Sequence, residues 1–152
     1  MQTLSQRDAR WAKVHVGPTT ATVGDIGCAL TGVSMLSDYF GEFKDPGTIA
    51  RLPGLFDTRG RILWGVLPRY FKRFKPVARH QGRDDRLIQA ILSDPKRACL
   101  LEVNNHKHWV LPTRGTWATD GYLAADPWTG KPCSVLEDYS NITGCEEFVA
   151  TY

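Results

Sequence analysis

Gly24-Asp25-Ile26-Gly27-Cys28-Ala29-Leu30-Thr31-Gly32-Val33-Ser34-Met35-Leu36 joins a glycine-bearing turn to an abrupt apolar run. Beyond Cys28 the residues Ala29, Leu30, Val33, Met35 and Leu36 recur at helical spacing, and the pattern continues to Tyr39 and Phe40 before Gly41 ends it. The spacing predicts a buried helix with Cys28 at or just before its first turn. Unpaired N–H groups and the positive end of the helix dipole favour a thiolate there over a thiol. Gly27, lacking a Cβ, is expected to let a substrate backbone come close. A cysteine in an apolar helix is also an ordinary packing residue. The rest of the chain decides between the two.

Upstream, residues 1–24 form an arm without a strong period, in which Ser5-Gln6-Arg7-Asp8 can cap a short turn holding Ala9 and Trp11. Downstream, Asp45-Pro46 opens a short helix that Pro53-Gly54 stops. Arg61 to Phe71 carries an amphipathic stripe that Pro68 can kink, and Asp84 caps a further helix through Leu87, Ile88, Ile91 and Leu92. The character then changes to strands at Ala98–Val103, His108–Thr113 and Gly121–Ala125, with Phe148–Tyr152 as a final edge. Asn104-Asn105, Gly115, Asp120-Gly121 and Thr129-Gly130 are the expected turns between them. Helices first and antiparallel strands afterwards predict an α+β domain of two lobes over 1–152, with a cleft between the lobes.

At 152 residues, 42% hydrophobic and 23% charged, the composition is that of one ordinary globule. Nineteen basic against sixteen acidic residues leave a net charge of only +3, too little for a nucleic-acid footprint. The basic residues Arg69, Lys72, Arg73, Lys75, Arg79 and Arg83 gather between Arg59 and Arg86, as a solvated helix face and loop or as a contact for an anion. Four cysteines without CxxC spacing make neither a disulfide scaffold nor structural zinc; Cys133 and Cys145 can meet across a hairpin, and Cys99 opens an apolar run as a core residue. No stretch is long enough for a membrane span, and the N-terminus lacks the character of a secretion signal. Synthesis in the cytoplasm is expected, with any action outside depending on release or delivery.

A sulfur nucleophile needs a base, and the base needs a third group to orient it. His106-Lys107-His108-Trp109-Val110-Leu111 places a histidine at the mouth of a strand, with His106 and His108 expected on one face by the period of two. Asp126 ends the next strand, where cross-strand spacings of about 5 Å would let it touch a histidine ring. Of the two histidines His108 is the expected base, with its Nδ1–H given to Asp126 and Nε2 facing the sulfur. His106/His108/Asp126 as a metal site is the competing arrangement, although it offers no clear fourth ligand and leaves Cys28 unexplained.

Ser5-Gln6-Arg7-Asp8-Ala9-Arg10-Trp11, Ile26-Gly27-Cys28-Ala29-Leu30-Thr31, His108-Trp109-Val110 and Ala125-Asp126-Pro127-Trp128-Thr129-Gly130 together resemble the papain-like cysteine peptidases. The likeness is to the branch related to bacteriocin-leader (double-glycine) peptidases, which includes stand-alone bacterial forms and phage lysin peptidase domains. The resemblance implies a papain-like two-lobe fold, Cys28 as nucleophile, His108 as base and acid, and Asp126 as orienter. It further implies Gln6 as the oxyanion-hole amide, with Thr20, Thr22 and Asp25 as polar alternatives nearer the cysteine. No metal or organic cofactor is implied. The expected substrate is peptide, with the peptides of bacterial cell wall preferred over a protein segment, and the expected state is a monomer. The alternative from another class is a binding protein on the same fold that has lost turnover.

Overall fold

A computed structural model describes residues 1–118 and 121–152, without the side chains of 114–118. Asp120 of the expected Asp120-Gly121 turn lies outside the described residues. The helix read from the opening stretch is present as α2 (Cys28–Tyr39), preceded by a single turn, α1 (Val23–Ile26). Leu30 through Ser37 are all buried, so α2 is enclosed on every side rather than along one stripe. Asp45 caps α3 (Pro46–Ala50) by accepting the Thr48 N–H at 2.8 Å, and Asp84 caps α4 (Asp85–Leu92) by accepting that of Leu87 at 3.1 Å.

Between these helices the structure departs from the reading. Arg61–Phe71 is not an amphipathic α-helix: Pro68 has no N–H to give, and the segment forms a 3₁₀ helix over Trp64–Arg69 with Leu67 buried. Of the basic run beyond it, Lys72, Arg73 and Arg83 lie in loops, as expected, but Lys75 and Arg79 lie on a strand. This is β1 (Phe74–Gln81), an edge strand whose exposed positions alternate with more covered ones. Its partner is β6 (Ile142–Ala150), some 70 residues away, with Phe74 opposite Ala150 and Gln81 opposite Gly144. No local pattern reveals such a partner.

The remaining strands are β2 (Arg97–Val103), β3 (His108–Ala118), β4 (Gly121–Asp126) and β5 (Lys131–Ser134), followed by a last helical turn, α5 (Val135–Asp138). All pair antiparallel in one sheet of order β1-β6-β2-β3-β4-β5. The domain is therefore α+β. β3 runs on through Gly115, expected as a turn, with its register against β4 shifting between Pro112 and Trp117. The last strand is not an edge: β6 lies between β1 and β2. Glu146 and Glu147 make its sequence look surface-bound, yet both are buried. Glu147 is held by His80 and Arg97 at 2.9 Å each.

Alternation along the strands divides the apolar side chains between two cores. Leu100, Leu111, Ala125 and Phe148 face α2, α3 and the N-terminal arm, while Leu101, Val110, Ala124 and Cys145 pack with Ile88 and Ile91 of α4. The sheet is covered on both faces, and β1 precedes α4, so the helices do not all come first. Cys99 is fully buried in the second core, as expected. All four cysteines are free. Cys133 and Cys145 lie on β5 and β6, four strand spacings or about 19 Å apart, beyond the reach of a disulfide. Among the described residues no helix is long and apolar enough to cross a membrane.

Glu146 is 3% exposed, and among the described residues its Oε2 has no hydrogen-bond partner. Burial pushes its carboxyl from 4.5 up to about 7, against the pull of Arg79 and His80. A carboxyl raised in the folded state stabilises least where it must ionise. Its full cost is felt above pH 7 and vanishes below pH 4.5. Glu146→Gln should therefore stabilise the protein by on the order of 2 kcal/mol at alkaline pH and hardly at all in mild acid, as measured by urea unfolding.

Candidate functional site

Cys28 is the first residue of α2 and is partly exposed. Gly27 caps the helix with no side-chain acceptor, at φ −83°. A Cβ on Gly27 would stand 2.5 Å from the Val23 carbonyl oxygen and 2.7 Å from Cγ1 of the same residue. The glycine thus serves the junction, letting α1 run into α2 with scarcely a break, and the space its Cβ would fill belongs to Val23 rather than to a substrate. α1 is fixed by a reciprocal cap: Thr22 Oγ1 accepts the Asp25 N–H, and Asp25 Oδ2 accepts the Thr22 N–H. Those two alternatives to Gln6 are occupied with each other.

Gln6 is 2% exposed and ties three parts of the chain together. Its Nε2 donates to the Gly24 carbonyl of α1 at 3.2 Å, and its backbone N–H donates to the Pro127 carbonyl at 2.7 Å. Among the described residues one amide hydrogen of Nε2 remains for another acceptor, and Oε1 has no partner. Arg7 extends the tie, with its Nε 2.8 Å from the Trp128 carbonyl oxygen and its guanidinium 4.3 Å above the Trp128 ring. The arm thereby holds the turn after Asp126 against the turn before Cys28.

His108 opens β3, and Asp126 closes β4, whose Ala125 pairs with Leu111. The imidazole Nε2 lies 2.8 Å from Asp126 Oδ1. The Cys28 side chain is near enough to the ring to raise its pKa, and with Nε2 taken by Asp126 the nitrogen left for the sulfur is Nδ1. The expected ring orientation is reversed, because the short diagonal across β3 and β4 brings the far nitrogen to the carboxylate. Asp126 Oδ1 also accepts the Trp128 N–H at 2.9 Å, and Oδ2 accepts the Tyr139 hydroxyl. The Tyr139 ring packs on that of His108 with centroids 5.1 Å apart. Tyr139 follows α5 in an irregular stretch and carried no signal in the sequence.

These contacts set the charges. Burial works against a charged His108, but the bond to Asp126, then that to Cys28, outweighs it and raises the ring from 6.5 to about 9. Burial likewise disfavours the Asp126 carboxylate, and the bonds from His108, Tyr139 and Trp128 overcome it, holding the acid below its ordinary value. Burial and the adjacent Asp126 push the Tyr139 phenol far above its usual range. The pairing of His108 stabilises the fold fully below pH 6.5 and is lost as pH rises through 9.

His106 does not share a face with His108. Asn104, Asn105 and His106 have φ of 57°, 55° and 65°, three left-handed residues in a row, so the strand period does not reach back to His106. Its Nδ1 lies 2.6 Å from Glu102 Oε1. Each histidine thus has its own carboxylate. Among the described residues no three His, Cys, Asp or Glu side chains are grouped to hold a metal ion. The structure sets Cys28 close to the His108 ring, joins that ring to Asp126 by a hydrogen bond, and ties Gln6 to the backbone at Gly24 and Pro127.

No protein-family model, curated protein or solved structure matches this chain. The chemistry must be read from the site itself. A partly exposed sulfur at a helix start, near a charged imidazole that a buried carboxylate orients, can attack an electrophilic carbon, and the imidazole can return a proton to what leaves. Asp126→Asn removes the charge that offsets the burial of His108. The ring should then titrate lower by more than about one pH unit, as followed by the NMR signal of its Cε1–H.

Proposed function

We propose that this chain is a cysteine peptidase or amidase on a papain-like fold, with Cys28, His108 and Asp126 as its catalytic triad. The observation that carries the reading is the ring of His108, held by Asp126 through Nε2 at 2.8 Å and close enough to Cys28 at the start of α2 for the sulfur to raise its pKa. The thiolate of Cys28 attacks the carbonyl carbon, and the electron pair of the C=O moves to oxygen. The Cys28 N–H at the first turn of α2 and the remaining Nε2 hydrogen of Gln6 are the donors proposed for that oxyanion. His108 gives its Nδ1 proton to the leaving amine, which departs and leaves a thioester. The neutral ring then takes a proton from water, whose oxygen attacks the thioester and releases the acid.

Asp126 keeps Nε2 protonated and stabilises the imidazolium. Tyr139 and the Trp128 N–H hold Asp126 in turn. The reaction needs no metal or organic cofactor. For substrate we favour the peptides of bacterial cell wall, acted on by a monomeric, phage lysin-like or effector-like hydrolase after its release or delivery. That preference rests on the motif resemblance.

Incubation of the wild type and Cys28→Ala with purified peptidoglycan and with a peptide library, read by mass spectrometry, tests the reading. Cleavage by the wild type and none by the variant is expected; equal cleavage by the two overturns it. Turnover should also fall on the alkaline side as His108 loses its proton near pH 9, and that limb should move towards neutrality in Asp126→Asn. The same variant should lose about a hundredfold or more of kcat in steady-state assays while remaining folded.

A further inference from the structure

Cys28 opens onto a cleft of about 560 Å³ whose lining includes Trp64 and Trp109, with their rings 5.5 Å apart. One wall is the 57–62 loop, which brings Asp57, Arg59 and Arg61. The other is the end of the β2–β3 turn, which brings His106 and Lys107, and Arg79 and Glu102 line the cleft between them. Four permanent cations thus meet two carboxylates, and both carboxylates are already engaged. Asp57 is 2.8 Å from Arg61 and also accepts the Arg59 and Arg61 N–H groups. Glu102 takes Arg79 at 2.9 Å, His106 at 2.6 Å and the Thr143 hydroxyl at 3.1 Å. Among the described residues neither Arg59 nor Lys107 has an ion-pair partner. One unspent cation remains on each wall.

The wall that bears Lys107 is held in place. Its three left-handed residues are fastened by Asn141, whose Oδ1 accepts the Asn105 N–H at 2.9 Å and whose Nδ2 donates to Asn105 Oδ1 at 2.7 Å. Backbone of this kind persists only where its surroundings enforce it.

We infer that the cleft beside Cys28 selects a peptide bearing a carboxylate next to the bond to be cut, with Arg59 and Lys107 as the carboxylate's partners and Trp64 and Trp109 against its aliphatic stem. The inference rests on the peptidase reading for the word peptide. The charge count rests on the cleft alone. A side-chain carboxylate and a free chain-terminal carboxylate share this chemistry.

The test uses Cys28→Ala, so that nothing is turned over. Acetyl-Ala-Glu-Ala-amide, acetyl-Ala-Gln-Ala-amide and acetyl-Ala-Ala-Ala with a free carboxylate are titrated against the Trp64 and Trp109 indole N–H signals by NMR. At low ionic strength the better carboxylate peptide should bind roughly tenfold tighter than the glutamine peptide, and concentrated salt should erase the difference. The stronger of the two identifies the source. Adding Arg59→Gln and Lys107→Gln should abolish the preference, and Arg59→Lys with Lys107→Arg should retain it. Equal binding of acid and amide, a preference that survives loss of both cations, or no binding at all would overturn the inference. Alkylation of wild-type Cys28 by iodoacetamide separates the two ideas. A Cys28 no faster than Cys99, with the acid preference intact, sinks the peptidase reading and leaves the anion site; a fast Cys28 without the preference does the reverse.

Discussion

A buried carboxylate that must stay charged is the constraint around which this molecule is arranged. Asp126 is 2% exposed, and taking such a group out of water costs several kcal/mol unless its oxygens are satisfied. It meets that demand with the His108 ring, the Trp128 N–H and the Tyr139 hydroxyl, drawn from a strand, a turn and the stretch after α5. Each donor is itself constrained: the ring is packed against Tyr139, and the Pro127 and Trp128 carbonyls are bonded by the N-terminal arm. The electrostatics of the imidazole therefore depend on the backbone of parts of the chain that never touch it.

The arm gives the clearest instance. Read alone it has no periodicity, yet it buries Leu4, Gln6, Trp11 and Val16. Its contribution is connectivity: Gln6 bonds α1 on one side and the turn after β4 on the other, bridging the segments that deliver the sulfur and the carboxylate. Trp11 locks the arm by donating its indole N–H to the Ser5 carbonyl at 2.7 Å. Gly130, at φ 71°, lets the turn close on Ser5, where a Cβ would stand 2.8 Å from that of the serine.

What was legible in the sequence was whatever local chemistry decides. The apolar spacing after Cys28, the Asp45 and Asp84 caps and the apolar strand cores each announce themselves within a dozen residues, and the α+β class followed from them. Cys28, His108 and Asp126 were legible because each stands at the end of such an element. Where long-range pairing decides, the reading failed. β1 looked like a solvated basic segment until β6 supplied its partner, and β6 looked like an edge because no local pattern shows that β1 and β2 flank it. The ring orientation of His108 and the divergence of His106 turn on register and on left-handed backbone, neither of which has a periodic signature. Gly27 stands out in the sequence, but its reason lies in Val23, which occupies the space beside it and has no local signal.

The place of β6 bears on how the molecule comes into being. The strand over residues 142–150 lies inside the sheet, and among the described residues it supplies the only strand contact of β1. Until residues 142–150 have arrived, β1 has no ladder and β2 has one open side, so the floor that carries Arg79 and Glu102 is incomplete. The arm must likewise wait for residues 127 and 128 to be made before Gln6 and Arg7 have their acceptors. Contacts so distant in sequence are formed slowly, because the chain must close large loops before they repay the lost entropy. A nascent chain that has not yet delivered residues 142–150 therefore holds Cys28 beside an unfinished sheet.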